Sequence, residues 1–97
     1  MGDQVLSSRI EFIRESKNKP CTDCHISYPY YVMDFDHLPQ YEKSFEIGRS
    51  FVSGRSMEQI KKEIAKCELV CANCHRIRTH KREIETKILK EAELPIL

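Results

Sequence analysis

Two Cys-x-x-Cys pairs, Cys21 with Cys24 and Cys71 with Cys74, are the residues whose type and spacing most directly specify chemistry. Two intervening residues let both sulfurs of a pair turn toward one ion, and zinc takes four such ligands in a closed tetrahedron. Between the pairs lie 46 residues, more than a compact zinc ribbon spans, so a segment is inserted there. The insertion carries Asp34-Phe35-Asp36-His37, and His75 follows Cys74 directly. A carboxylate and an imidazole suit a hard or borderline divalent cation, and a histidine beside such an ion can take a proton from water. Singly, each has a plainer role: His37 ends a strand and His75 extends a knuckle. Their combination with two correctly spaced cysteine pairs favours a structural metal placed beside a reactive one.

The remaining candidates carry less. Cys67 is the odd fifth cysteine and reads as a small buried apolar residue. His25 follows the first pair and reads as a polar turn residue, since four cysteines already complete a site. His80 is five residues beyond His75, slightly off its helical face, which suits an exposed or nucleic-acid-facing side chain. Tyr28, Tyr30 and Tyr31 read as core aromatics more readily than as ligand contacts.

Net charge is only +1, so the totals do not announce a nucleic-acid binder. The distribution says more. From His75 to Lys90 there are six Lys or Arg against two acids. Arg76, Arg78, Lys81 and Arg82 are the candidate phosphate contacts; a solvated helix face with pairs such as Glu83 with Lys87 is the plainer reading. The longest apolar runs are a few residues, so neither a membrane span nor a secretory leader is expected, and a cytoplasmic protein is the expectation. A reducing compartment keeps the thiols available for metal rather than disulfides.

The elements that position these groups are legible from periodicity. Residues 4–18 read as a helix on Leu6, Ile10 and Ile13, with Asp3 as N-cap and Asn18-Lys19-Pro20 as its end. A strand is expected from about Tyr30 to His37, with Asp34 and Asp36 on one face and Met33 and Phe35 on the other. Ser44 to Ile47 suggests a second short strand. Ser56-Met57-Glu58-Gln59 is a capping box opening a helix to about Lys66, with Ile60 and Ile64 on its apolar stripe. Cys67 to Val70 reads as strand, and the chain after Cys74 as a helix with Ile77, Ile84 and Ile88 on one face, stopped by Pro95. The apolar tail, Leu94, Ile96 and Leu97, suits docking on the core or on another chain. At 97 residues a single α+β domain is expected, with a helix over 1–19, a metal-bound core over 20–80 and a continued helix and tail over 81–97.

The order Cys-x-x-Cys, Asp36-His37, Cys-x-x-Cys-His resembles the zinc-containing HNH endonucleases. The wording Tyr-Val-Met-Asp-Phe-Asp-His with Cys-Glu-Leu-Val-Cys-Ala-Asn-Cys-His-Arg is similar to their bacteriophage and prophage branch, over about Pro20 to His80. The resemblance implies a ββα-metal core and a metal-dependent DNA endonuclease of low sequence specificity, found in a bacterial, prophage-bearing or phage-infected cell. Cys21, Cys24, Cys71 and Cys74 then hold structural Zn²⁺. Asp36 and His75 hold a catalytic Mg²⁺, Mn²⁺ or other divalent transition metal, and His37 is the general base. DNA is the implied partner, and a phage terminase or portal protein a further one; a non-catalytic zinc module binding nucleic acid or protein is the alternative. The chain departs from the pattern at the family's middle asparagine: residues 65–70 contain none, Asn73 is the nearest substitute, and a backbone carbonyl is the expected anchor for His37.

Overall fold

The computed structural model describes residues 2–48 and 52–93, with side chains over 8–48 and 52–89. Its frame is a two-stranded antiparallel ribbon, β1 (Met33–His37) with β2 (Cys67–Cys71). Met33 lies opposite Cys71, Phe35 opposite Leu69, Asp36 opposite Glu68 and His37 opposite Cys67. Helix α1 (Gly2–Ser16) precedes the ribbon, α2 (Met57–Ile64) lies between its strands and α3 (Ala72–Glu93) follows directly from β2. The class is α+β: a ribbon packed with helices, joined to a four-cysteine cluster.

Strand alternation decides which chemistry faces which helix. On β1 the even residues Asp34 and Asp36 meet α3, through His75, Arg78 and Arg82. The odd residues Met33, Phe35 and His37 turn to the other side. Met33 packs with Cys21, Val70 and Cys71 in one apolar cluster, which Tyr28, Val32 and Leu69 border. Phe35 borders a second cluster of Ile13, Val52 and Ile60, which joins α1 to α2. Val52 and Ile60 are fully buried, each stabilising the fold by about 1.5–3 kcal/mol.

Several boundaries differ from the sequence reading, each for a local reason. The strand begins at Met33 because Val32 N–H bonds back to Pro29 carbonyl at 2.9 Å, winding Tyr30–Val32 into a 3₁₀ turn. Ser44–Ile47 forms no strand; Phe45 and Ile47 border the second cluster instead. The capping box is present, with Ser56 and Gln59 bonding reciprocally, and α2 stops at Ile64 rather than Lys66. Helix α1 begins at Gly2, which places Asp3 inside its first turn, and ends at Ser16. Strand β2 runs one residue further, to Cys71, and α3 starts at Ala72, so Cys74 and His75 sit in its first turn. Ile77, Ile84 and Ile88 are exposed on α3. Its inward face is polar instead, made by His75, Arg78 and Arg82 at helical spacing. Pro95 and the apolar tail lie outside the described residues.

Candidate metal centres

The first knuckle is a tight turn docked on β2. His25 N–H donates to Cys21 carbonyl at 2.9 Å and Cys21 N–H to Ile26 carbonyl at 3.0 Å. His25 takes φ +63°, the left-handed conformation such a turn requires. It is exposed, as expected of a turn residue. Thr22 donates both its N–H, at 2.9 Å, and its hydroxyl, at 2.8 Å, to Leu69 carbonyl. That brings Cys21 and Cys24 to the second knuckle, where β2 gives way to α3.

The four sulfurs of Cys21, Cys24, Cys71 and Cys74 lie within 4.8 Å of one another. Cys24 and Cys71 are 4.0 Å apart, close to the roughly 3.8 Å expected of thiolates at about 2.3 Å around a tetrahedral zinc. Backbone N–H groups point at the sulfurs: Cys24 and Cys71 donate to Cys21 at 3.5 and 3.3 Å, and Cys74 to Cys71 at 3.4 Å. Burial opposes ionisation of Cys21, but these donors outweigh it and bring its thiol down to about 6. The Cys74 thiol, hydrogen-bonded to Cys71 and partly desolvated, is pushed up to about 12. Thiols this close compete for ionisation, and a divalent cation removes that competition. The cluster is a closed four-thiolate site suited to structural Zn²⁺, and among the described residues it is the only grouping of three or more potential metal ligands.

On the even-residue face of β1, His75 lies between two carboxylates. Its Nδ1 is 3.0 Å from Asp34 Oδ2 and its Nε2 is 3.5 Å from Asp36 Oδ1. A neutral His75 that donates Nδ1–H to Asp34 keeps a lone pair on Nε2, the arrangement that carboxylates impose on metal-binding histidines. Two ligands each about 2.1 Å from one ion stand roughly 3.0–3.4 Å apart, slightly closer than the 3.5 Å between Asp36 Oδ1 and His75 Nε2. Asp36 is only 3% exposed. Arg82 donates to both its oxygens, at 2.9 and 2.8 Å, and Arg78 to Oδ2 at 2.9 Å. Burial alone would raise the Asp36 carboxyl; the guanidiniums of Arg82 and Arg78 overturn that and hold it below the usual carboxylate range. Arg78 also grips Asp23 through two bonds of 2.7 Å and reaches Glu68 at 3.1 Å, tying the first knuckle to the ribbon.

His37 faces the opposite way. Its Nε2 is 2.9 Å from Glu63 Oε2 on α2. Glu63 also accepts Ser44 N–H at 3.0 Å and Lys66 Nζ at 2.9 Å, while Lys66 reaches Glu42 carbonyl and Ser44 hydroxyl. Burial opposes ionisation of Glu63, but Lys66, Ser44 N–H and His37 bring its carboxyl down to about 2. The anchor expected for His37 was a backbone carbonyl; the structure places a carboxylate there instead.

Asp36 and His75 are thus brought together, and His37 adjoins Asp36 in the chain but turns its ring to α2. Asn73 is exposed in the first turn of α3, on an open cleft of about 1340 Å³ that Asp34, His75, Arg76, His80 and Lys81 also line. Of the basic residues expected to meet phosphate, Arg76 and Lys81 are exposed, whereas Arg78 and Arg82 are engaged by carboxylates. Cys67 donates its thiol to Glu63 carbonyl at 3.4 Å, and burial pushes it up to about 12, consistent with an inert thiol.

Sequence reasoning missed Asp34 as the partner of His75 and Glu63 as the partner of His37. A signal existed for each. Asp34 shares the strand face of Asp36, and Glu63 falls on the apolar stripe that Ile60 and Ile64 define, where an acid requires a partner. No described helix is long and apolar enough to cross a membrane. Comparisons with family models, with curated proteins and with solved structures find no match.

Proposed function

We propose that this zinc-binding module is a metal-dependent endonuclease of the HNH type that hydrolyses phosphodiester bonds in DNA. The observation that carries the reading is the 3.5 Å approach of Asp36 Oδ1 to His75 Nε2, at a site separate from the four sulfurs. The cleft beside His75, bordered by Arg76 and Lys81, suits a polyanionic backbone. Asp36 and His75 would hold a divalent ion, with Asp34 keeping His75 in the tautomer that offers Nε2. An ion held there would supply Lewis-acid stabilisation of charge on the scissile phosphate and the departing oxygen. His37, next to Asp36 in the chain but with its ring on the α2 side of β1, is the residue assigned to take the proton from the attacking water. Arg78 and Arg82 neutralise Asp36, and Arg82, the more exposed of the two, is the better placed to reach phosphate.

A second reading has its own support: a zinc module that binds nucleic acid or protein without cutting. Asp36 is saturated by arginine, and the cysteines form the one grouping of three or more metal-ligating residues among those described. Supercoiled plasmid separates the two readings. Zinc-loaded protein given Mg²⁺, Mn²⁺ or Ni²⁺ is expected to nick or linearise it, and His37→Ala to abolish cutting while zinc content and DNA binding persist. Intact plasmid under every metal, with DNA still bound, favours the binding module.

A further inference from the structure

We propose that Glu63 is the positioning residue for His37, fixing the imidazole as its Nε2–H tautomer so that Nδ1 is the atom that accepts a proton. The inference rests on the nuclease reading for its catalytic consequence, and on the α2–β1 contact for its geometry.

Every contact of the Glu63 carboxylate constrains it. Oε1 accepts from Lys66 Nζ at 2.9 Å, and Oε2 accepts from Ser44 N–H at 3.0 Å. The remaining approach to Oε2 is taken by His37 Nε2 at 2.9 Å. The Glu63 side chain is 2% exposed and that of His37 12%. An ionised carboxylate has no proton to give, so the shared hydrogen belongs to the imidazole. A neutral His37 must then carry its lone pair on Nδ1, to which nothing hydrogen-bonds among the described residues.

The clamp is rigid because four chain segments build it. Glu63 lies on α2, whose start is fixed by the Ser56–Gln59 capping box. Lys66, in the turn before β2, also bonds Glu42 carbonyl at 2.8 Å and Ser44 hydroxyl at 2.9 Å. Leu38 N–H donates to Lys66 carbonyl at 3.0 Å, closing the ribbon beside His37. The inserted loop is thereby pinned to the base it surrounds. A lone surface acid near a histidine would not do this, because a mobile partner leaves both tautomers populated.

The test uses zinc-loaded, full-length protein, as wild type and as Glu63→Gln, which keeps the side-chain size and removes the charge. Two-bond ¹H–¹⁵N imidazole spectra read the His37 tautomer, plasmid cleavage with Mn²⁺ reads kcat and KM, and zinc content controls for folding. The inference expects His37 as Nε2–H in the wild type and a mixture of tautomers in Glu63→Gln. It also expects kcat to fall roughly 10- to 100-fold, with KM and zinc content unchanged. A wild-type His37 in the Nδ1–H form overturns it, and this holds even where Glu63→Gln fails to fold. An active wild type matched in kcat by Glu63→Gln overturns it while the nuclease reading stands. A wild type inert with every metal overturns the nuclease reading and, with it, the catalytic consequence, whereas an Nε2–H tautomer lost in Glu63→Gln still supports the positioning contact itself.

Discussion

The two polar sites beside the ribbon are built on contrary plans. Around Cys71 the four ligands are alike and converge within 4.8 Å, and backbone N–H groups already point at the sulfurs. Around Asp36 only two candidate ligands converge, and arginine supplies the positive charge. The first arrangement completes the coordination of one ion and leaves no position for substrate. The second adjoins a cleft that His75 lines, and its Asp36 carboxylate is paired with Arg78 and Arg82. A closed four-thiolate cluster and an incomplete pair of candidate ligands thus share one short ribbon.

The comparison breaks first where its larger partner fails. Cys71→Ser, or stripping by a strong chelator, is expected to release zinc and abolish the cooperative thermal transition, since zinc binding in such small domains contributes on the order of 10 kcal/mol of folding free energy. Circular dichroism after chelation checks it; a retained transition would mean that the apolar clusters suffice alone.

Asp36→Ala tests the other site. It leaves Arg78 and Arg82 without the buried anion between them, and a loss of about 3 kcal/mol is expected in urea unfolding with zinc retained. Arg82→Ala, at the more exposed end of the same network, is expected to cost about 1 kcal/mol. Equal effects would mean that Asp36 is held by its surroundings rather than by arginine.

Acid weakens the contact of His37 with α2. The Glu63 carboxyl is depressed from the ordinary glutamate value of 4.5 to about 2, so its ionised form stabilises the fold. The unfolded chain binds the proton first, hence that contribution is complete above about pH 4.5 and fades as pH falls through about 2. Unfolding free energy in Glu63→Gln is therefore expected to depend less on pH across that window than in the wild type. Parallel curves would remove Glu63 from the network. A comparably small effect lies far from both sites: Ser56→Ala removes the α2 cap and is expected to cost about 1 kcal/mol, leaving zinc content unchanged.

Much of this was readable in the chain. The cysteine spacing foretells the closed site, the Ser56–Gln59 box foretells α2, and the alternation over Met33–Asp36 foretells which residues share a face. Those signals are local, so sequence distance does not blur them. Glu63 with His37, and Asp23 with Arg78, are separated by 26 and 55 residues and join only after the ribbon closes. The inward face of α3 was hidden for a different reason. Periodicity marks apolar faces, and this helix turns its polar face inward, toward Asp34 and Asp36.

The central claim is that a second ion site exists at Asp36 and His75, apart from the sulfurs. Mn²⁺ titrated into zinc-loaded, ¹⁵N-labelled protein tests it most directly, because a paramagnetic ion broadens the resonances nearest to it. The account predicts saturable broadening centred on Asp34, Asp36 and His75, with one zinc retained, and its loss in Asp36→Ala. Uniform broadening without a centre, or broadening at Cys21 and Cys74 with zinc released, would contradict it.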